Sequence, residues 1–124
     1  MPLVLIALGG AAGAITRYLV DGWIAQRAGG AFPWGTLVVN VSGSLILGLL
    51  FALAIERGVL PASARGPVLI GFIGAYTTFS TLMLESWRLI EDGAVLLGLV
   101  NLVGSSLTGM VALIIGLTIG RAIA

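Results

Sequence analysis

Four long apolar segments account for most of this chain, and its charged residues lie mainly at their ends or between them. The segments cover approximately residues 3–25, 33–55, 67–91 and 94–120. A transmembrane helix needs about 20 mainly apolar residues, so each segment is long enough to cross a membrane. We therefore predict an all-α integral membrane protein, with four transmembrane helices in a single domain over residues 1–124. The connections are too short to hold a soluble catalytic domain.

The composition excludes several functions. Only 9% of the residues are charged, against roughly a quarter in a soluble domain. The chain has no cysteine and no histidine, which removes disulfides, thiol chemistry and the usual zinc ligands. Serine and threonine are present, but no histidine or lysine could activate them as nucleophiles. We expect neither an enzyme nor a nucleic-acid-binding protein, since the latter needs a basic patch.

The third segment is the most unusual, because polar side chains interrupt it. Its stretch 71–85 contains four hydroxyls and a carboxylate: Thr77, Thr78, Ser80, Thr81 and Glu85. Polar groups in a membrane are costly unless they face a partner or a cavity. Glycine and adjacent β-branched residues disfavour a helix interior, so we predict that the third helix is broken within 74–78. Carbonyls freed there could bind a hard cation such as sodium.

The second and fourth segments each carry a polar face. Residues spaced by four share one face of a helix, and two such sets occur: Asn40, Ser44 and Gly48, and Asn101, Ser105 and Gly109. Two interpretations are open for each. The amides and hydroxyls either hold the bundle together through interhelical hydrogen bonds, or offer neutral hydrogen bonds to an anion.

The first segment combines small residues with two charges. Gly9 and Gly13 form a G-x-x-x-G pair that favours close helix packing, as do Gly116 and Gly120 in the fourth segment. Arg17 lies four residues before Asp21 in the sequence, so the two could form an ion pair near the membrane surface. Alternatively, Arg17 faces an aqueous vestibule.

The arginines give little preference for either orientation in the membrane. Four spans place both termini on one side, together with Arg57, Arg65 and Arg121, whereas Arg27 and Arg88 lie on the other. Arginine and lysine in the connections set the orientation of most membrane proteins. With so small a bias, we predict that the chain inserts both ways, and that opposite copies pair as an antiparallel, dual-topology dimer.

Three blocks of the sequence resemble the small fluoride-channel family, known as Fluc or CrcB. They read GGAAGAITRY (Gly9–Tyr18), GTLVVNVSGSLILG (Gly35–Gly48) and GAYTTFSTLMLE (Gly74–Glu85). The resemblance implies a passive channel that exports fluoride across the cytoplasmic membrane. It further implies an antiparallel homodimer in lipid, with two fluoride pathways and a structural sodium ion at its centre.

The resemblance also assigns roles to individual residues. The backbone carbonyls of Gly74 and Thr77 would bind the sodium ion. Asn40 matches an asparagine that hydrogen-bonds at the pore, Phe79 matches the first phenylalanine of an aromatic box, and Arg17 matches a first-span arginine. The remaining positions of the fluoride pathway would be Thr78, Ser80, Thr81, Leu82, Glu85 and Ser105.

Two positions depart from the family pattern. Leu82 stands where a second phenylalanine is usual, and Asn101 where a tyrosine is expected. Some members of the family work as pairs of different subunits, so a heteromer with a paralogous subunit is an alternative to the homodimer. The residues leave two further alternatives: a proton-coupled exporter of the four-helix, dual-topology type in which Glu85 carries the proton, and a membrane assembly protein whose glycines serve packing alone.

Overall fold

The computed structural model describes residues 2–123 and confirms an all-helical chain with four candidate spans. The first to fourth spans are the helices Pro2–Ala28, Trp34–Glu56, Ala62–Glu91 and Val95–Ile123. Each is long and apolar enough to cross a membrane. The third span begins at Ala62 rather than at position 67, because a helical turn, Ala62–Arg65, precedes Pro67. These four helices define a multi-pass membrane protein.

Short connections reverse the chain between successive spans, and each uses a glycine with left-handed backbone. Gly29 and Gly30 have φ of 64° and 76°, Gly58 has 66°, and Gly93 has 90°. Other residues adopt such angles only at a steric cost. The sharp reversals make successive spans run antiparallel.

The first span packs on the beginning of the third span with almost no space between their backbones. A Cβ atom added to Gly9 would collide with the carbonyl oxygen of Pro67, and one added to Gly13 would collide with that of Phe72. The predicted close approach at the first G-x-x-x-G pair is therefore confirmed.

The second and fourth spans form the most extensive helix pair, and they cross backbone to backbone. A Cβ atom on Gly48 would collide with the Leu113 carbonyl oxygen, and one on Gly116 would collide with that of Leu45. A Cβ atom on Gly120 would lie 2.6 Å from that of Ala52. The packing role predicted for Gly116 and Gly120 is thus confirmed.

The third span is the irregular one. After the first turn its backbone widens into a π-helix over Gly66–Ile73, and an α-helical turn, Gly74–Tyr76, follows. Thr77 (φ −84°, ψ 157°) and Thr78 (φ −148°, ψ 112°) are extended, and the α-helix resumes as Phe79–Glu91. The predicted break exists but is shorter than expected, because Gly74 keeps helical angles. Threonine is β-branched and suits extended backbone.

A group of charged residues joins the C-terminal ends of the second and fourth spans. Arg121 donates to both carboxylate oxygens of Glu56, at 2.8 and 2.9 Å. Arg57 Nη2 in turn donates to the Arg121 carbonyl oxygen at 2.6 Å. The two spans are therefore held together both at their crossing and at this end.

Candidate functional site

Asn40 supplies the hydrogen bonds that the third span loses at its break. The Thr78 N–H donates to Asn40 Oδ1 at 2.8 Å, and Asn40 Nδ2 donates to the Thr78 carbonyl oxygen at 3.1 Å. Non-helical backbone at membrane depth needs such partners, since lipid provides none. The interhelical hydrogen bond predicted for Asn40 is confirmed, and it serves the backbone rather than another side chain.

Arg17 supports the same region from the first span. Its Nε donates to the carbonyl oxygen of Ala75, three residues before Thr78, at 3.1 Å. Within residues 2–123 a salt bridge forms only between Arg121 and Glu56. Of the two interpretations open for Arg17, the ion pair with Asp21 is therefore wrong, because the guanidinium binds the Ala75 carbonyl instead.

The carbonyls of Gly74 and Thr77 are among those that lose their helical amide partners at the break. In an α-helix the Gly74 carbonyl would accept from the Thr78 N–H, but that N–H donates to Asn40. The Thr77 carbonyl would accept from the Thr81 N–H, which donates to the Thr78 hydroxyl at 3.3 Å. These are the two carbonyls for which the sequence suggested a cation-binding role.

The hydroxyls after the break pair with one another. Thr78 caps the resumed helix, and its own hydroxyl donates to Thr81 Oγ1 at 2.9 Å. Ser80 is exposed on the surface of the bundle, and Phe79 is 75% exposed. An exposed aromatic ring beside a polar break is a surface that another molecule can cover.

An open groove of about 350 Å³ runs beside the break, between the second, third and fourth spans. It brings together six of the residues that the resemblance assigned to the fluoride pathway or to the sodium site: Asn40, Thr77, Thr78, Phe79, Leu82 and Ser105. Its remaining lining residues are small or apolar: Gly43, Ser44, Leu47, Ser106, Gly109, Met110 and Leu113. All these side chains are uncharged, so the groove offers hydroxyls and one amide without a fixed charge.

Glu85 lies apart from this groove. It lines a second cavity, of about 170 Å³, beside Asp21 and the start of the second span at Trp34. Its Oε1 atom is buried and has no hydrogen-bond partner within residues 2–123. The buried hydroxyl of Thr36 lies beside the carboxyl group. The structure therefore places Glu85 outside the groove that Thr78 lines.

A buried hydrogen-bonded chain links the third and fourth spans behind the groove. Ser105 Oγ donates to Asn101 Oδ1 at 3.2 Å, Asn101 Nδ2 donates to Ser86 Oγ at 2.8 Å, and Ser86 Oγ donates to the Leu82 carbonyl at 2.7 Å. Asn101 and Ser86 are 0% and 1% exposed. The interhelical bond predicted for Asn101 is thus confirmed, while its partner Ser86 was missed. A serine one helical turn after Leu82 was the available signal.

Four apolar spans, a helix broken at its centre and an uncharged polar groove beside the break define a small multi-pass membrane protein with an ion- or solute-sized site. The family model described as "CrcB-like protein, Camphor Resistance (CrcB)" matches residues 4–117. The chain belongs to this family.

Similar proteins match over nearly their whole length. A relative from Magnetococcus marinus is 45% identical over 99% of this chain and 100% of its own. One from Solidesulfovibrio magneticus is 46% identical over 98% and 97%, and one from Hahella chejuensis is 42% identical over 98% and 95%. Each of the three is named "Fluoride-specific ion channel FluC".

Proposed function

We propose that this protein is a fluoride-selective channel, through which fluoride leaves the cytoplasm passively. The observation that carries the proposal is the uncharged polar groove beside the break, with Asn40, Thr78 and Ser105 in its wall. The names of the relatives support fluoride as the ion. Fluoride is the conjugate base of a weak acid and accumulates in an alkaline cytoplasm, so a passive pathway is enough to remove it.

The lining residues suit a small, strongly hydrated anion. Conduction needs binding that replaces hydration and yet releases the ion. Hydroxyls and an amide provide neutral hydrogen bonds, whereas a lysine or arginine in the groove would hold the anion strongly. The edge of the Phe79 ring adds a positive partial charge. Selectivity against chloride would follow from a narrow path that fits only the smaller ion.

The working unit in this proposal is a dimer of oppositely inserted copies. The groove is open on one side and its wall includes the exposed Phe79; Ser80, next to it in the chain, and Gly74, before the break, are exposed as well. Unpaired backbone groups in contact with lipid are costly, so a second copy is the covering that this face needs. The weak arginine bias supports opposite insertion of the two copies.

The freed carbonyls of Gly74 and Thr77 fit a sodium ion at the centre of that dimer. Hard cations prefer oxygen ligands, and the same two carbonyls from each copy would supply them. When bound, the ion would balance the carbonyl dipoles and hold the two breaks against each other. Asn40 and Arg17 keep the backbone on either side of the break in place for this role.

Ion flux from liposomes tests the channel. Purified protein should release trapped fluoride when a potassium ionophore is added, and should release little chloride. Fluoride release no faster than from protein-free vesicles would rule out a conducting homodimer. Recovery of flux on adding a paralogous subunit would then identify a heteromer. Tags on both termini that report a single orientation would disprove the antiparallel arrangement.

A proton-coupled exporter is the second candidate, and one observation favours it. The buried, unpartnered oxygen of Glu85 beside Asp21 is a place where a proton could be held. A coupled exporter would move fluoride up its gradient when only a pH gradient is imposed, and Glu85→Gln would abolish this. A passive channel would not move fluoride up its gradient, either in the parent protein or in Glu85→Gln.

A further inference from the structure

The four hydroxyls of the fourth span fall into two kinds. Ser106, Thr108 and Thr118 each donate to the carbonyl four residues earlier in their own helix, at 2.7–2.8 Å. This is the usual bond for a serine or threonine within a helix. Ser105 instead donates to the side chain of Asn101. It is also the only one of the four that is buried, at 5% exposure.

Asn101 therefore diverts the Ser105 hydroxyl from its own helix. The amide oxygen of Asn101 competes with the residue 101 carbonyl for the same proton. The serine lies in the wall of the groove. Its hydrogen-bond partner therefore decides whether Ser105 presents its proton or its lone pairs to the groove. A hydroxyl has a single proton, so in the observed arrangement Ser105 turns lone pairs, which repel an anion, toward the groove.

The observed chain has one direction, and its first proton, on Ser105, goes to Asn101 and not to the groove. The hydrogen bonds run from Ser105 to Asn101, from Asn101 to Ser86, and from Ser86 to the Leu82 carbonyl. All four residues in the series are buried, with at most 6% of their surface exposed, and hydrogen bonds in such surroundings reinforce one another. The amide of Asn101 is the only member that has both a donor and an acceptor group at separate atoms.

The same positions support the opposite direction. If the Asn101 amide turns by half a turn, Nδ2 donates to Ser105 and Oδ1 accepts from Ser86. The Leu82 carbonyl then keeps the helical bond from the amide four residues later. The Ser105 proton becomes free to donate into the groove, and the number of side-chain hydrogen bonds between the two spans is unchanged.

We propose that Asn101 is a positioning residue that sets the hydrogen-bonding direction of Ser105, and that an anion in the groove selects the reversed direction. This inference rests on the proposed function, because it assigns the anion-facing donor of that site. Asn101 is buried and acts on the anion only through Ser105. Ser86 has the supporting role, since it can both accept from the amide and donate to it.

A double-mutant cycle in the fluoride-release assay tests the inference. In Asn101→Leu the Ser105 hydroxyl returns to its own helix, so we expect flux to fall about tenfold, the effect of one hydrogen bond. Ser105→Ala should cause a similar loss, and the double variant should be no slower than Ser105→Ala. If the two losses multiply, Asn101 acts independently of Ser105 and the inference is wrong. Ser86→Thr should retain flux, and Thr118→Ala serves as the matched control.

A second readout does not depend on conduction. The side-chain amide resonances of ¹⁵N-labelled Asn101, measured by NMR in micelles, should shift when fluoride is added and should not shift with chloride. Ser105→Ala should remove the response. A conducting protein whose Asn101 amide ignores fluoride would overturn the inference and leave the channel intact. A fluoride response in a protein that does not conduct would support the inference while the proposed function fails.

Discussion

The side chain of Asn40, in the second span, pairs with both backbone polar groups of Thr78, in the third. One amide thus replaces a donor and an acceptor that an unbroken helix would have supplied itself. The two spans are joined at the point where the third is weakest. The break therefore belongs to an interhelical contact as much as to the local sequence.

Replacing Asn40 should destabilise the protein. Asn40→Leu leaves the Thr78 N–H and carbonyl without partners, at about 1–3 kcal/mol for each group. Asn40→Asp in its neutral, protonated form keeps an acceptor and one donor, so its loss of stability should be smaller. The free energy of unfolding in micelles measures both. Equal stability of Asn40→Leu and the parent protein would contradict the assigned role.

Replacing Arg17 should loosen the turn before the break. Its bond to the Ala75 carbonyl is charge-assisted, a type worth about 1.5–3 kcal/mol. Arg17→Met keeps the length of the side chain but removes the donor. Arg27→Met is the matched control, because Arg27 donates only to Trp23 in its own helix. Thermal denaturation should separate the two variants, and identical midpoints would show that the Arg17 bond has no structural effect.

A methyl group at the crossing of the second and fourth spans should be poorly tolerated. In Gly116→Ala the Cβ atom would collide with the Leu45 carbonyl, and overpacking costs about 1–3 kcal/mol. Gly104→Ala in the same span is the control, since its Cβ would lie 3.8 Å from the nearest atom. The fraction of monodisperse protein after extraction measures the difference. A Gly116→Ala variant as well behaved as Gly104→Ala would argue against a backbone-to-backbone crossing.

Phe79 should affect conduction without affecting the fold of the monomer. The ring is 75% exposed, and substitutions at exposed positions change stability by about 0.5 kcal/mol or less. Phe79→Ala should nevertheless reduce fluoride flux, because the positive ring edge is lost. Leu84→Ala, at another exposed site of the same span, should leave flux unchanged. Flux in Phe79→Ala equal to that of the parent would remove the ring from the pathway.

The sequence predicted the spans well because their signal is simple. The length of an apolar segment is enough to predict a membrane helix. The spacing of Gly9 and Gly13 predicted close helix packing, and both glycines lie against the backbone of the third span. The break was predicted from local propensity, which gave its place but not its length. Propensity ranks Gly74 as a poor helix residue, yet nothing forces a glycine out of helical angles when its neighbours are helical.

The site was harder to predict because it depends on where the helix restarts. The resemblance assigns Thr78 and Glu85 to one fluoride pathway, but Thr78 is extended and the new helix begins at Phe79. Thr78 lines the groove and Glu85 lines a separate cavity. Ser86 was missed for a different reason: its only signal in the sequence is its place one helical turn after Leu82, and its partner Asn101 lies on another span.

At Gly48 and Gly116 the second and fourth spans meet backbone to backbone, each glycine against a carbonyl of the other span. Asn40 and Ser44 lie on one side of the groove and Ser105 on the other, all toward the end of the bundle away from the Arg121–Glu56 bridge. Asn40 is about 12 Å along the helix from Gly48, so a rotation of about 5° about this pivot changes the width there by about 1 Å. In the proposed channel, the width of the groove is thus controlled by two glycines that do not line it.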